Sequence, residues 1–202
     1  GALVLLEAGA LDDVQYALGY HVMPKDMARS GQIIPQINWT ACTLIEGEIR
    51  GLAAHGSQPH LGINAIDVGA AIVNAINALH SNPLLGGSVK TTRFIGGAGS
   101  LNAICDKVSI GFDLRSTSNA EMLVLRQKVA DIVTNTAKLY GAEGESHIVG
   151  TCPAAEADPS LLALTKEVIV DVLGTQGLLP AANITVGEDF NFFKQEKPEL
   201  KT

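Results

Sequence analysis

Between residues 42 and 150 the apolar pattern changes from an alternating to a helical period and back, twice, in an order that few folds satisfy. Residues 40–54 are rich in β-branched and aliphatic side chains and read as one long or bulged strand. Residues 62–80 carry Ile66, Ala70, Val73 and Ile76 at spacings of three and four, the stripe of an amphipathic helix. Residues 88–95 and 105–114 alternate again, with Val108, Ile110, Phe112 and Leu114 on one face. Ser118-x-x-Glu121 has the form of a capping box and opens a second helix on Leu125, Val129, Ile132, Thr136 and Leu139, closed by Gly141. Residues 146–151 make a last strand. The order β-α-β-β-α-β is that of a ferredoxin-like α+β sandwich, with two helices on one face of a four-stranded sheet.

The flanks do not continue this pattern. Residues 1–8 read as the end of a helix with Gly9 just beyond it. Residues 14–22 form an apolar run stopped by Pro24, which predicts a buried strand ending at His21. Asp158-Pro159 is a strong helix start, and Leu161, Leu164, Val168 and Val172 then draw a stripe to Gly174. Residues 1–41 and 153–202 are therefore expected to be two parts of one α/β domain into which the sandwich, 42–152, is inserted.

Composition removes several functions. Apolar residues are 47% and charged residues 17% of 202, enough for a packed core and unlike a disordered chain. With 14 Lys and Arg against 21 Asp and Glu, the net charge of -7 offers nucleic acid or an anionic membrane no general attraction. The longest apolar segment, 65–79, is broken by Asp67, Asn74 and Asn77, so no membrane span is expected. Three cysteines, Cys42, Cys105 and Cys152, lack metal-type pairing and give an odd count, which argues against a disulfide framework and for a cytoplasmic home. Gly1 follows neither Met nor a secretory segment, so the sequence reads as a piece of a longer chain.

A few residues carry chemical potential. The loop Gly51-Leu-Ala-Ala-His55-Gly-Ser-Gln-Pro-His60 lies between a strand and a helix, where functional loops commonly lie. His55 and His60 are open to two readings there: working imidazoles, or turn residues that cap the helix and meet water. His21 could ligate zinc, yet a zinc site needs at least three protein donors and the neighbouring sequence supplies none. A histidine bonded to a backbone carbonyl is the plainer reading. Arg115 ends a strand, where its guanidinium can grip a carboxylate or simply pair with Asp113 or Glu121. The turn Gly96-Gly97-Ala98-Gly99-Ser100 lacks the Lys and helix of a phosphate loop. His80 at a helix end and His147 in an edge strand need no further role.

In order along the chain stand Gly-x-x-x-His55-x-Ser-x-Pro59-His60-x-Gly-x-Asn-Ala-Ile, Gly96-Gly97, Asn102-Ala103-Ile104, Asp113-Leu114-Arg115 and Gly187-Glu188-Asp189-Phe190. This series resembles the di-zinc aminoacylase/carboxypeptidase family of peptidases, which includes N-acyl-amino-acid hydrolases and plant auxin-conjugate hydrolases. The resemblance runs through essentially the whole chain and departs mildly at Cys105, where the family usually has Pro. It implies a zinc-peptidase-like α/β domain carrying a ferredoxin-like lid, with lids pairing in a homodimer. It implies that His21 is a ligand to one of two zinc ions (manganese or cobalt being alternatives). His55 would reach into the partner's active site and bond the scissile carbonyl. Asn102 and Arg115 would hold the substrate's carboxylate or amide, and Glu188 and Asp189 would lie beside the metal centre.

The implied reaction is amide hydrolysis of N-acyl amino acids or small peptide-like substrates. The family's other metal ligands and its Glu-Glu pair fall before Gly1 and after Thr202, so this chain is expected to be an incomplete portion, inactive alone. A non-catalytic dimerisation or ligand-binding module is the alternative.

Overall fold

A computed structural model describes residues 1–97 and 99–202. Its elements, in chain order, are α1 (Ala2–Glu7), β1 (Ile37–Trp39), β2 (Ala41–Arg50), α2 (Ala65–Asn77), β3 (Ser88–Gly96), β4 (Lys107–Ser116), α3 (Asn119–Leu139), β5 (Glu143–Cys152), α4 (Pro159–Leu173), β6 (Ala182–Ile184) and α5 (Phe192–Glu196). Short 3-10 turns at Pro59–Leu61, Thr175–Gly177 and Asp189–Asn191 complete the order. The chain divides into two compact units, residues 1–41 with 152–202, and residues 42–151.

The second unit is the β-α-β-β-α-β sandwich. Its sheet runs β3-β4-β2-β5, the strand order of a ferredoxin-like fold. β3 and β4 are antiparallel, Ser88 opposite Arg115 and Gly96 opposite Val108, with a bulge between Thr91 and Arg93. Val108, Ile110, Phe112 and Leu114 are all buried, as the alternation required. Ser118 caps α3 by accepting from the Glu121 main-chain N–H at 3.3 Å. The Glu121 carboxylate turns instead to the main-chain N–H of Asn82 at 3.4 Å, so only half of the expected capping box forms.

Both helical faces of this unit differ from expectation. On α2 the buried residues are Ala65, Val68, Gly69, Ile72 and Ile76, while Ile66 and Ala70 are exposed and Val73 is half-buried. Small residues hid this face: a Cβ on Gly69 would come within 2.6 Å of the Phe94 ring, so bare glycine is what lets β3 seat against the helix. On α3, Met122, Leu125, Val129, Val133 and Ala137 point inward. The predicted stripe slips by one residue after Val129, and Leu139 is largely exposed.

In the first unit β1 and β6 pair in parallel, Ile37 with Ala182 and Trp39 with Ile184. Ala2, Phe192, Phe193 and Leu200 form its core, with Phe190 edge-on to Phe193 at 5.1 Å between ring centroids. Gly9, at φ +72°, follows α1 in the left-handed conformation its position demands. The strand expected over residues 14–22 is absent. Tyr16 makes a lone bridge to Lys201, and Tyr20 and Val22 stand 86% and 92% exposed. An apolar run without a second row of ladder partners stays an extended loop.

Asp158 caps α4 as expected, accepting from the main-chain N–H groups of Ser160 and Leu161 at 3.0 Å each. Of the predicted stripe only Leu161 is buried; Leu164, Val168 and Val172 are exposed, and Ile169 turns inward. Between Leu161 and Ile169 stands half-buried Thr165, whose hydroxyl donates to Leu161 O at 2.8 Å. A hydroxyl satisfied on its own helix can occupy the inward face, and an apolar count overlooks it.

Candidate active site

His55 sits in the loop joining β2 to α2, and the neck of that loop is closed by main-chain bonds. Leu52 and Ile63 exchange two at 2.9 Å each, and Gly51 N donates to Asp106 O at 2.8 Å. A Cβ on Gly51 would lie 2.1 Å from Ile63 O, so the neck closes only around glycine. Asn64 then starts α2, its Oδ1 accepting from Ile66 N at 3.2 Å. Beyond the neck the loop is laced to the segment that precedes β4. Ile104 N donates to Ala54 O at 2.8 Å, Gly56 N donates to Asn102 O at 2.7 Å, and His55 bridges Ala103.

This lacing brings together two of the predicted site residues. The Asn102 side-chain amide lies 3.4 Å from His55 Nε2. Ser57 Oγ lies 2.7 Å from His55 Nδ1, and Ser100 Oγ lies 2.6 Å from Asn102 Oδ1. All four side chains are exposed, a small polar cluster open to an incoming carbonyl. Neither serine was singled out from sequence, although the His-x-Ser spacing within a glycine-rich loop was the available signal. Of the Gly96–Ser100 turn, Ala98 lies outside the described residues. His60 is an exposed member of the 3-10 turn.

Arg115 grips Asp113, Nε to Oδ1 at 2.6 Å and Nη2 to Oδ2 at 2.9 Å. Alternate residues of a strand share a face, so the fork is formed within β4 itself. Each side chain keeps about a third of its surface exposed, 32% for Arg115 and 29% for Asp113. A carboxylate arriving at Arg115 would share the guanidinium with Asp113.

In the first unit, His21, Glu188 and Asp189 line one cleft of about 450 Å³, together with Trp39, Tyr20 and Phe190. His21 is exposed; its Nδ1 lies 2.9 Å from Val22 O and its ring 5.3 Å from that of Trp39. Bonding of Nδ1 to a carbonyl leaves Nε2 as the nitrogen free to take a ligand. Glu188 caps the following 3-10 turn, accepting from Phe190 N at 3.4 Å, and Asp189 Oδ2 accepts from Ala2 N at 2.9 Å. Among the described residues no group of three or more His, Cys, Asp or Glu is placed to hold a metal ion. The described residues therefore do not make a zinc site by themselves.

Residues 41–141 match the family model of the peptidase dimerisation domain. The chain belongs to peptidase family M20. This M20 chain is 31% identical to an uncharacterized hydrolase, y4tI, of Sinorhizobium fredii, over 99% of its own length and 50% of the relative's. It is 25% identical to the IAA-amino acid hydrolase ILR1-like 2 of Arabidopsis thaliana, over 98% of its length and 46% of that protein. Among solved structures it resembles the Bacillus subtilis YXEP protein, a dinuclear metal-binding peptidase of the same family. The TM-score is 0.75 and identity 22%, covering 97% of this chain and 49% of the other. The M20 chain thus spans about half the length of the curated relatives it matches.

Proposed function

We propose that this M20 chain supplies the lid and part of the catalytic domain of a metal-dependent amidohydrolase that cleaves N-acyl amino acids or small peptide-like amides. Hydrolase relatives, one of them an IAA-amino acid hydrolase, support that reaction class. The observation that carries it for this chain is the exposed His55–Asn102 pair held between laced loops. In this reading His55 donates a hydrogen bond to the carbonyl oxygen as it gains charge, a stabilisation worth about 10²–10³ in kcat where one such donor is removed. Asn102 and Arg115 hold the substrate's amide or carboxylate, and Glu188 and Asp189 border the cleft.

His21 is proposed as one ligand of a two-ion zinc centre, with the remaining ligands drawn from outside this chain. Dinuclear metal binding by the Bacillus subtilis relative supports the metal. The lid is proposed to pair with a second copy through β3, an edge strand, and the neighbouring outer face of α2, where Ile66 and Ala70 lie exposed. A cytoplasmic setting is proposed with it.

The test uses the whole enzyme. His55→Ala should lose most of its activity on an N-acyl amino acid while keeping its metal content by elemental analysis. Parental turnover in that variant would remove His55 from the mechanism. Chelation followed by zinc should abolish and then restore hydrolysis; full activity after chelation would exclude the metal.

A further inference from the structure

We infer that Ser57 is a positioning residue that fixes the tautomer of His55, leaving the ring proton on Nε2 with Asn102 as its resting acceptor. The inference rests on the proposed role of His55 and concerns how that side chain is prepared for it.

Three groups face the two ring nitrogens. The main-chain N–H of Ser57 donates to His55 Nδ1 at 3.2 Å, and Ser57 Oγ lies 2.7 Å from the same nitrogen. The Asn102 amide lies 3.4 Å from Nε2. A hydroxyl can donate or accept, and a side-chain amide can turn over with its two ends exchanged, so neither settles the ring. A main-chain N–H can only donate. A nitrogen that receives it must present its lone pair, so Nδ1 is bare and the neutral ring carries its proton on Nε2. The other tautomer would point the Nδ1 proton and the Ser57 N–H at each other.

The tautomer then sets the orientation that Asn102 must take. In the structure Asn102 Oδ1 accepts from Ser100 Oγ at 2.6 Å and Nδ2 faces Nε2 at 3.4 Å. An Nε2–H ring requires the amide to turn over, so that its carbonyl oxygen faces the ring proton and its NH₂ faces Ser100 Oγ. The separation of His55 from Asn102 is held by the main-chain bond from Gly56 N to Asn102 O at 2.7 Å. Nε2–H is the form a donor to an oxyanion requires. A substrate oxygen would replace the Asn102 carbonyl as acceptor, with no change of tautomer on the way.

Long-range ¹H–¹⁵N correlation spectra of the protein carrying ¹⁵N-labelled histidine report the protonated ring nitrogen directly. They would be recorded in alkaline buffer, with His55→Gln identifying the signals. The expected result is a His55 ring with Nε2 in the protonated range and Nδ1 in the unprotonated range. Ser57→Ala keeps the main-chain donor and should keep that pattern, whereas Asn102→Ala should keep it while speeding exchange of the Nε2 proton with water. A ring protonated on Nδ1 in the parent, or a switch to that form in Ser57→Ala, would overturn the inference. The spectra are independent of turnover. An Nε2–H ring whose removal spares hydrolysis sinks the proposed function and leaves the tautomer standing, and an Nδ1–H ring in an enzyme that needs His55 does the reverse.

Discussion

Phe112 is 1% exposed on β4, between Ile110 and Leu114 on the same buried face. Truncating such a side chain removes its transfer energy and leaves a cavity, so Phe112→Ala is expected to cost about 3–5 kcal/mol, read by chemical denaturation. Asp158 gives a pH-dependent counterpart. The Ser160 hydroxyl, followed by the Leu161 main-chain N–H, holds its carboxyl below the usual carboxylate range. A depressed folded value means that the contribution is complete above the ordinary carboxylate range and is lost as pH falls through the lowered one. Asp158→Asn should therefore melt below the parent at neutral pH and converge with it in acid; a gap constant with pH would remove the charge from the account. At this scale the chemistry-bearing side chains were partly legible. His55, Asn102 and Arg115 stood out through their motifs, and Asp113 was foreseen as one of two partners for Arg115. Ser57 and Ser100 did not, because a serine in a glycine-rich loop is ordinary until its distance to a ring nitrogen is known.

For single elements, strands were easier to read than helix faces. Alternation in β4 is strict, and every predicted inward residue is buried. Helix faces slipped at Gly69 on α2 and Thr165 on α4, where the inward position held a small or self-satisfied residue; on α3 the slip began at Val133, whose neighbour Ile132 is equally apolar. Hydropathy counts apolar atoms, while close approach rewards their absence. Gly144 in β5 shows the same rule, since a Cβ there would lie 2.7 Å from both Ala137 Cβ and Val133 O of α3. Gly144→Val is expected to destabilise by about 1–3 kcal/mol through overpacking, with the loss visible as a lower denaturation midpoint. Ser118→Ala removes the α3 cap and should cost about 1 kcal/mol in the same assay. The misread run at 14–22 failed for a different reason: extended chain becomes a strand only beside partners, and its single bridge, Tyr16 to Lys201, is distant in sequence.

For the molecule as a whole, the β-α-β-β-α-β order was legible because two periods alternating in sequence admit few topologies, and the sheet order β3-β4-β2-β5 follows it. The first unit was less legible, for its core joins residues as distant as Ala2 and Leu200. Assembly is the prediction at this scale. Ile66 is 37% exposed on the α2 face beside β3, a greasy surface next to an open edge. If lids pair there, Ile66→Asp should shift the protein from dimer to monomer in light scattering without lowering its helix content by circular dichroism. A parent that already runs as a monomer would rule out pairing through this face.

The stitching of the His55 loop to the Asn102 segment has a mechanical corollary. Two side chains 47 positions apart in sequence are carried by strips of backbone fastened to each other, with Gly56 tied to Asn102 and Ile104 tied to Ala54. They ride as one jaw. Lengthening either strip by a residue between those ties would throw the other out of register, so both must keep their length if either is to keep its aim.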